Sequence, residues 1–169
     1  MFLRHFNRVT IFDKANLPGN TVYVDACLTG VGGSWNNRVY SAPIPQFALT
    51  PNIAHLEILN VVVALRIWDQ DWTHSTTTVF CDNHAVVQAV NSGRARDLFI
   101  AKCLRHIWFI ASVYDIDFKI EHIPGQHNTL ADTLSRLPTG KTIDSFTDVQ
   151  EKFIWDEVER SWFLLDVNL

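Results

Sequence analysis

The sequence has 169 residues, 47% hydrophobic and 19% charged, which is enough apolar material for a packed core and too much for a disordered chain. No apolar run approaches the length that spans a bilayer, the best being Asn60 to Ile67 and Trp108 to Val113. A net charge of −4 speaks against a simple basic nucleic-acid binder.

Met1 to Asp13 carries Arg4, His5, Arg8 and Asp13 and does not read as a signal peptide. Thr21 to Asp25 (TVYVD) is β-branched and aromatic, follows Pro18-Gly19, and is expected to be a strand. Gly30, Gly32 and Gly33 suggest a tight turn, with a second strand near Gly33 to Asn36 and a third from about Arg38 to Ala42 across an Asn36-Asn37 turn. Thr50-Pro51 then suggests a helix start, with Thr50 as the cap. Ile53, Leu56, Leu59, Val63 and Ile67 recur at helical spacing as far as Trp68. Thr76 to Cys81 is a short apolar strand ending at Asp82, and a brief helix from about His84 to Asn91 is stopped by Ser92-Gly93.

Leu98 to Tyr114 is a second long helix, with Leu104, Ile107, Trp108 and Ala111 on one face. Phe118 to Ile123 alternates as a strand, and Asn128 to Leu137 is a last helix before Pro138. The order βββαβααβα predicts an α/β fold with a five-stranded mixed sheet and helices on both faces. It brings the ends of the first and fourth strands side by side. The tail from Ile143 has Phe146, Val149, Phe153, Ile154 and Trp155 in helix-compatible positions.

Four acids fall at telling places in this layout. Asp25 ends the first strand, Glu57 lies in the first long helix beside its apolar stripe, Asp82 ends the fourth strand, and Asp132 lies in the last helix. Singly, each has an ordinary explanation: a turn or cap for Asp25 and Asp82-Asn83, a first-turn acid for Asp132. Together they would repel unless a cation neutralised them, and hard oxygen donors suit Mg²⁺ or Mn²⁺. Two such ions roughly 4 Å apart can promote phosphodiester hydrolysis. The charge balance permits this. From Lys141 onward seven acids face three bases, while the first 137 residues hold eleven of each. Three scattered cysteines, Cys27, Cys81 and Cys103, fit a reducing compartment, cytoplasmic or nuclear, and neither a disulfide framework nor a cysteine zinc site.

The same residues carry a family resemblance. YVDACLTGVGGSW (Tyr23 to Trp35), HLEILNVVVALRIW (His55 to Trp68), VFCDNHAVVQAVNSGRARD (Val79 to Asp97) and HIPGQHNTLADTLSR (His122 to Arg136) resemble the RNase H domain of retrotransposon reverse transcriptases. The elements in question are of the long-terminal-repeat and DIRS-like types. The resemblance covers about residues 1–137, and FLRHFN (Phe2 to Asn7) is similar to the connection between polymerase and RNase H in such polyproteins. It implies an RNase H-like fold with a connection-like segment at 1–20, the nuclease domain at 21–137 and an acidic, Trp-containing extension at 138–169.

It also implies an endoribonuclease that cuts the RNA strand of RNA–DNA hybrids with two Mg²⁺ or Mn²⁺ ions, leaving a 3′-hydroxyl and a 5′-phosphate. Its polymerase partner would lie in the same polyprotein. Asp25, Glu57, Asp82 and Asp132 match the four catalytic metal-ligand positions. Asn83, Asn128, Arg94 and Arg96 are expected substrate contacts, and His122 or His127 an auxiliary histidine. The sequence departs from the family where Ala26 follows the first acid in place of glycine, and it lacks a basic protrusion between Gly93 and Leu98. A non-catalytic interaction module of the same fold, or a related nuclease acting on DNA, stays open on sequence grounds.

Overall fold

The computed structural model describes residues 17–44, 46–48 and 50–137. Most of the connection-like segment, and the whole extension with its helix-compatible pattern, lie outside them. The described chain forms β1 (Gly19–Ala26), β2 (Gly30–Trp35), β3 (Arg38–Pro43), α1 (Ile53–Trp68), β4 (Thr76–Cys81), α2 (His84–Ser92), α3 (Leu98–Val113), β5 (Asp117–His122) and α4 (Thr129–Ser135). Short 3-10 turns at Gln46–Ala48 and Gly125–His127 complete it.

The expected element order is present, and the strands form one sheet in the order β3-β2-β1-β4-β5. β1–β2 and β2–β3 pair antiparallel, while β1–β4 and β4–β5 pair parallel. This mixed sheet follows from the connections. Short turns can return a strand only antiparallel to its neighbour, whereas the helices between β4 and β5 allow a parallel return.

α1 packs on β1 and β2, and α3 lies against α1. Every residue of α1 from Leu56 to Leu65 is buried, so its run of apolar side chains faces protein on all sides. At the sheet end remote from Asp25, Trp35, Tyr40, Trp68 and Trp72 meet with ring centroids 5.3–5.8 Å apart. These tilted and edge-on contacts anchor the C-terminal end of α1. Gly93 closes α2 in the left-handed conformation (φ 64°), and its N–H reaches the Ala89 and Val90 carbonyls. Among the described residues no helix is long and apolar enough to cross a membrane.

Three expectations need correction. The glycines at 30, 32 and 33 do not form a turn; they lie within β2. Their reason is packing: α4 sits so close to β2 that a Cβ at Gly32 would come 2.5 Å from the Leu134 Cβ and the Ser135 nitrogen. The cap of α1 is Asn52 rather than Thr50, its side chain accepting from the Ala54 N–H, while Thr50 Oγ1 accepts from the Asn52 N–H. Trp108, expected to share the apolar face of α3, is 41% exposed with its ring perpendicular to that of Phe118, and the buried face is Cys103, Leu104, Ile107, Ile110 and Ala111.

Candidate metal centre

Strand register explains why Asp25 and Asp82 meet. The parallel pairing of β1 and β4 runs as far as Tyr23 opposite Phe80. Asp25 and Asp82 each follow two residues later, at the same end of neighbouring strands. Glu57 spans the same two ends from α1. Its Oε1 accepts from the Ala26 N–H at 3.2 Å, and its Oε2 lies 3.7 Å from the Cys81 thiol. One turn along α1, Asn60 fixes the approach: its Nδ2 donates to the Asp25 and Gly32 carbonyls at 2.7 and 2.9 Å, and its Oδ1 accepts from the Tyr40 hydroxyl.

α4 brings the fourth acid from the opposite face of the sheet. Gly32 pairs with Asp25, so the two residues face the same way, and α4 rests on that side. Ser135 of α4 donates to Asp25 Oδ2 at 2.5 Å, and Arg136 Nε donates to Asp132 Oδ1 at 2.7 Å. Asp25, Glu57, Asp82 and Asp132 thus line a single open cleft of about 710 Å³, whose lining also includes Cys27, Thr29, Ile53 and Asn83. Among the described residues lining it, Arg136 is the base.

The electrostatics show how closely the acids share this space. Burial, and then the charges of Asp82 and Asp132, push the Asp25 carboxyl up to about 6 against the lowering effect of the Ser135 hydroxyl. Glu57, 2% exposed, is pushed up to about 9, first by burial and then by Asp25 and Asp82. A bound cation would relieve the repulsion in a site this rich in carboxylates and this short of positive charge. Glu57, Cys81 and Asp82 each offer a ligand atom within 4.8 Å of the others. Asp25 and Asp132 line the same cleft, so carboxylate oxygens outnumber the single Cys81 thiol among the available donors. Such a set fits Mg²⁺ or Mn²⁺.

The other sequence candidates occupy different places. Asn83 lines the cleft, but its Oδ1 also caps α2 by accepting from the Ala85 and Val86 N–H groups. Asn128, expected at the substrate surface, is 2% exposed. Its Nδ2 donates to the Val24 carbonyl at 2.9 Å, tying the start of α4 to β1. Arg94 and Arg96 are exposed on the α2–α3 connection, away from the cleft lining. His122 ends β5 with Nε2 3.2 Å from the Asp82 carbonyl, stacked on His84 with centroids 3.6 Å apart. His127 is exposed in the 3-10 turn.

Sequence reasoning did not single out Ser135, Arg136, Asn60 or Gly125. A Cβ on Gly125 would lie 3.1 Å from Asp82 Oδ2, so the turn before α4 presses on that carboxylate. Ser135 and Arg136 stand in the quoted HIPGQHNTLADTLSR block, but only folding shows which acids they touch.

Residues 45–137, more than half of the chain, match the sequence pattern of the reverse transcriptase-like family. No curated protein matches the sequence. Among solved structures, RNase H1 from the halophilic archaeon Halobacterium salinarum NRC-1 superposes with a TM-score of 0.57 at 15% identity, over 69% of this chain and 93% of that one. LC11-RNase H1 in complex with RNA/DNA hybrid gives 0.54 at 16% identity, over 68% and 92%. Prototype foamy virus protease-reverse transcriptase gives 0.51 at 16% identity, over 76% of this chain and 22% of that one. At these identities the likeness is one of fold: an RNase H-like α/β sheet with the same layout.

Proposed function

Because this chain belongs to the reverse transcriptase-like family, we propose that it is a ribonuclease H: an endonuclease that hydrolyses the RNA strand of RNA–DNA hybrids within a reverse transcriptase. The observation that carries this reading is the convergence of Asp25, Glu57, Asp82 and Asp132 on one cleft from four separate elements. In this reading the four carboxylates hold two divalent cations, Mg²⁺ or Mn²⁺. Bound there, such ions lower the pKa of a water and stabilise the leaving oxygen of the phosphodiester.

The chain's own groups do the rest. Glu57, hydrogen-bonded at the ends of β1 and β4, keeps the two strand acids in register with α1. Asn83 at the cleft margin, with Arg94 and Arg96 on the exposed connection, supplies polar and cationic contacts to the hybrid backbone. Recognition of this kind reads the shape, phosphates and 2′-hydroxyls of a hybrid rather than its sequence. Of the two histidines, His122 is the better placed for an auxiliary part, since it touches the Asp82 backbone. Residues 1–20 serve as the connection to a polymerase domain, and 138–169 form an acidic extension beyond the nuclease domain.

The reading draws support from two fold relatives, one solved with an RNA/DNA hybrid and one that is itself a protease-reverse transcriptase. The test is incubation of the protein with a hybrid labelled on its RNA strand, with duplex DNA and duplex RNA alongside. Mg²⁺-dependent cutting of the hybrid RNA, absent in Asp25→Asn, is expected. Intact hybrid under metal saturation, or equal cutting of duplex DNA, contradicts the proposal.

A further inference from the structure

Ser135 stands at the crossing of α4 with β1 and β2, and three independent contacts fix it there. Its hydroxyl reaches Asp25 Oδ2 at 2.5 Å across 110 residues of sequence. Its carbonyl oxygen accepts from the Cys27 thiol at 3.1 Å. A Cβ on Gly30 would collide with that same carbonyl, so β2 presses directly on the Ser135 backbone. The residue is 2% exposed.

The hydroxyl has one proton and two acceptors in reach, since the Asp132 carbonyl lies 2.9 Å away. A charged carboxylate outcompetes a neutral carbonyl for that proton, and 2.5 Å is the length of a charge-assisted O–H···O⁻ bond. Resting on the metal-centre reading above, we propose that Ser135 is a positioning residue. It locks the rotation of the Asp25 carboxylate so that the acid meets the cation pre-oriented. Without the hydroxyl, Asp25 turns freely and binding must supply the ordering.

Ser41 supplies the control. Its hydroxyl donates to the Leu134 carbonyl at 2.7 Å, so it fastens α4 to β3 one residue away without touching an acid. Mn²⁺ binding to the 169-residue chain, followed by calorimetry with folding verified by circular dichroism, separates the two roles. Ser135→Ala is expected to weaken Mn²⁺ binding by about ten- to a hundredfold, the usual effect of losing a partner that orients a metal ligand. Ser41→Ala is expected to lower thermal stability while binding Mn²⁺ as the wild type does. Ser135→Cys keeps the shape with a weaker donor. It is expected to fall between wild type and alanine, and it decides the matter if Ser135→Ala does not fold.

Unchanged affinity in both Ser135 variants overturns the positioning role while leaving the metal centre intact. So does an equal loss in Ser41→Ala, which would make any fastening of α4 sufficient. A folded wild type that takes up no Mn²⁺ overturns the metal-centre reading itself, and the positioning role with it.

Discussion

Asp25 and Glu57 carry the energetic tension of the site. Both are acids whose folded pKa is raised, to about 6 and about 9, chiefly by burial. A raised acid pKa means that the folded chain holds more protons than the unfolded one between the two values. Stability therefore falls as pH climbs from about 4 through this window, by up to about 1.4 kcal/mol per pH unit for each group. In metal-free protein, urea midpoints at pH 5, 7 and 8 are expected to decline in that order. Glu57→Gln keeps the shape and removes the charge, so its decline should be shallower and its stability at pH 8 higher than wild type. A steeper fall in the variant would show that Glu57 is not the stressed group. Arg136 acts in the other direction. Its exposed pair with Asp132 competes with a cation for that carboxylate. Arg136→Ala is expected to tighten Mn²⁺ binding, by up to about fivefold if the pair is worth 0–1 kcal/mol. Weaker binding would identify Arg136 as a support for the site instead.

At the scale of elements, the decisive contact is α4 on β2. Gly32→Ala places a methyl 2.5 Å from Leu134 and the Ser135 nitrogen, and backbone cannot yield there as a flexible side chain would. Overpacking of this kind costs about 1–3 kcal/mol. Because α4 carries Asp132 and Ser135, the same variant should lose metal affinity together with stability, read by thermal melting with and without Mn²⁺. A variant that loses stability alone would uncouple α4 from the site. Asn83→Ala removes the cap of α2 and is expected to cost about 1 kcal/mol, checked by denaturant titration. Strand and helix periodicity revealed nearly every element, and acids at the ends of β1 and β4 were readable because they terminate apolar runs. What escaped was through-space. A glycine cluster has the same composition in a turn as under a helix, and only the partner surface tells them apart. The Ser135–Asp25 bond joins residues 110 apart, beyond any local pattern. The resemblance offered Asn128 as a substrate contact, yet the residue is buried and its amide donates to the Val24 carbonyl.

For the whole molecule, charge distribution bears on substrate binding. Seven acids and three bases from Lys141 onward account for the net −4, while the rest is balanced. An acidic extension raises the electrostatic cost of bringing a polyanion near. In an Asp25→Asn background that does not cut, truncation after Leu137 is expected to strengthen hybrid binding severalfold at low salt, with the gain shrinking as salt rises. Fluorescence anisotropy reads this directly, and weaker binding after truncation would make the extension part of the binding surface. The ribonuclease reading and every metal-binding expectation depend on the cleft acids gathering cations. Crystals of the protein soaked in Mn²⁺ and measured near the manganese absorption edge test that most directly. Two anomalous peaks roughly 4 Å apart among Asp25, Glu57, Asp82 and Asp132 are predicted. Manganese bound elsewhere, with those four carboxylates bare, would contradict the metal centre and the ribonuclease built on it.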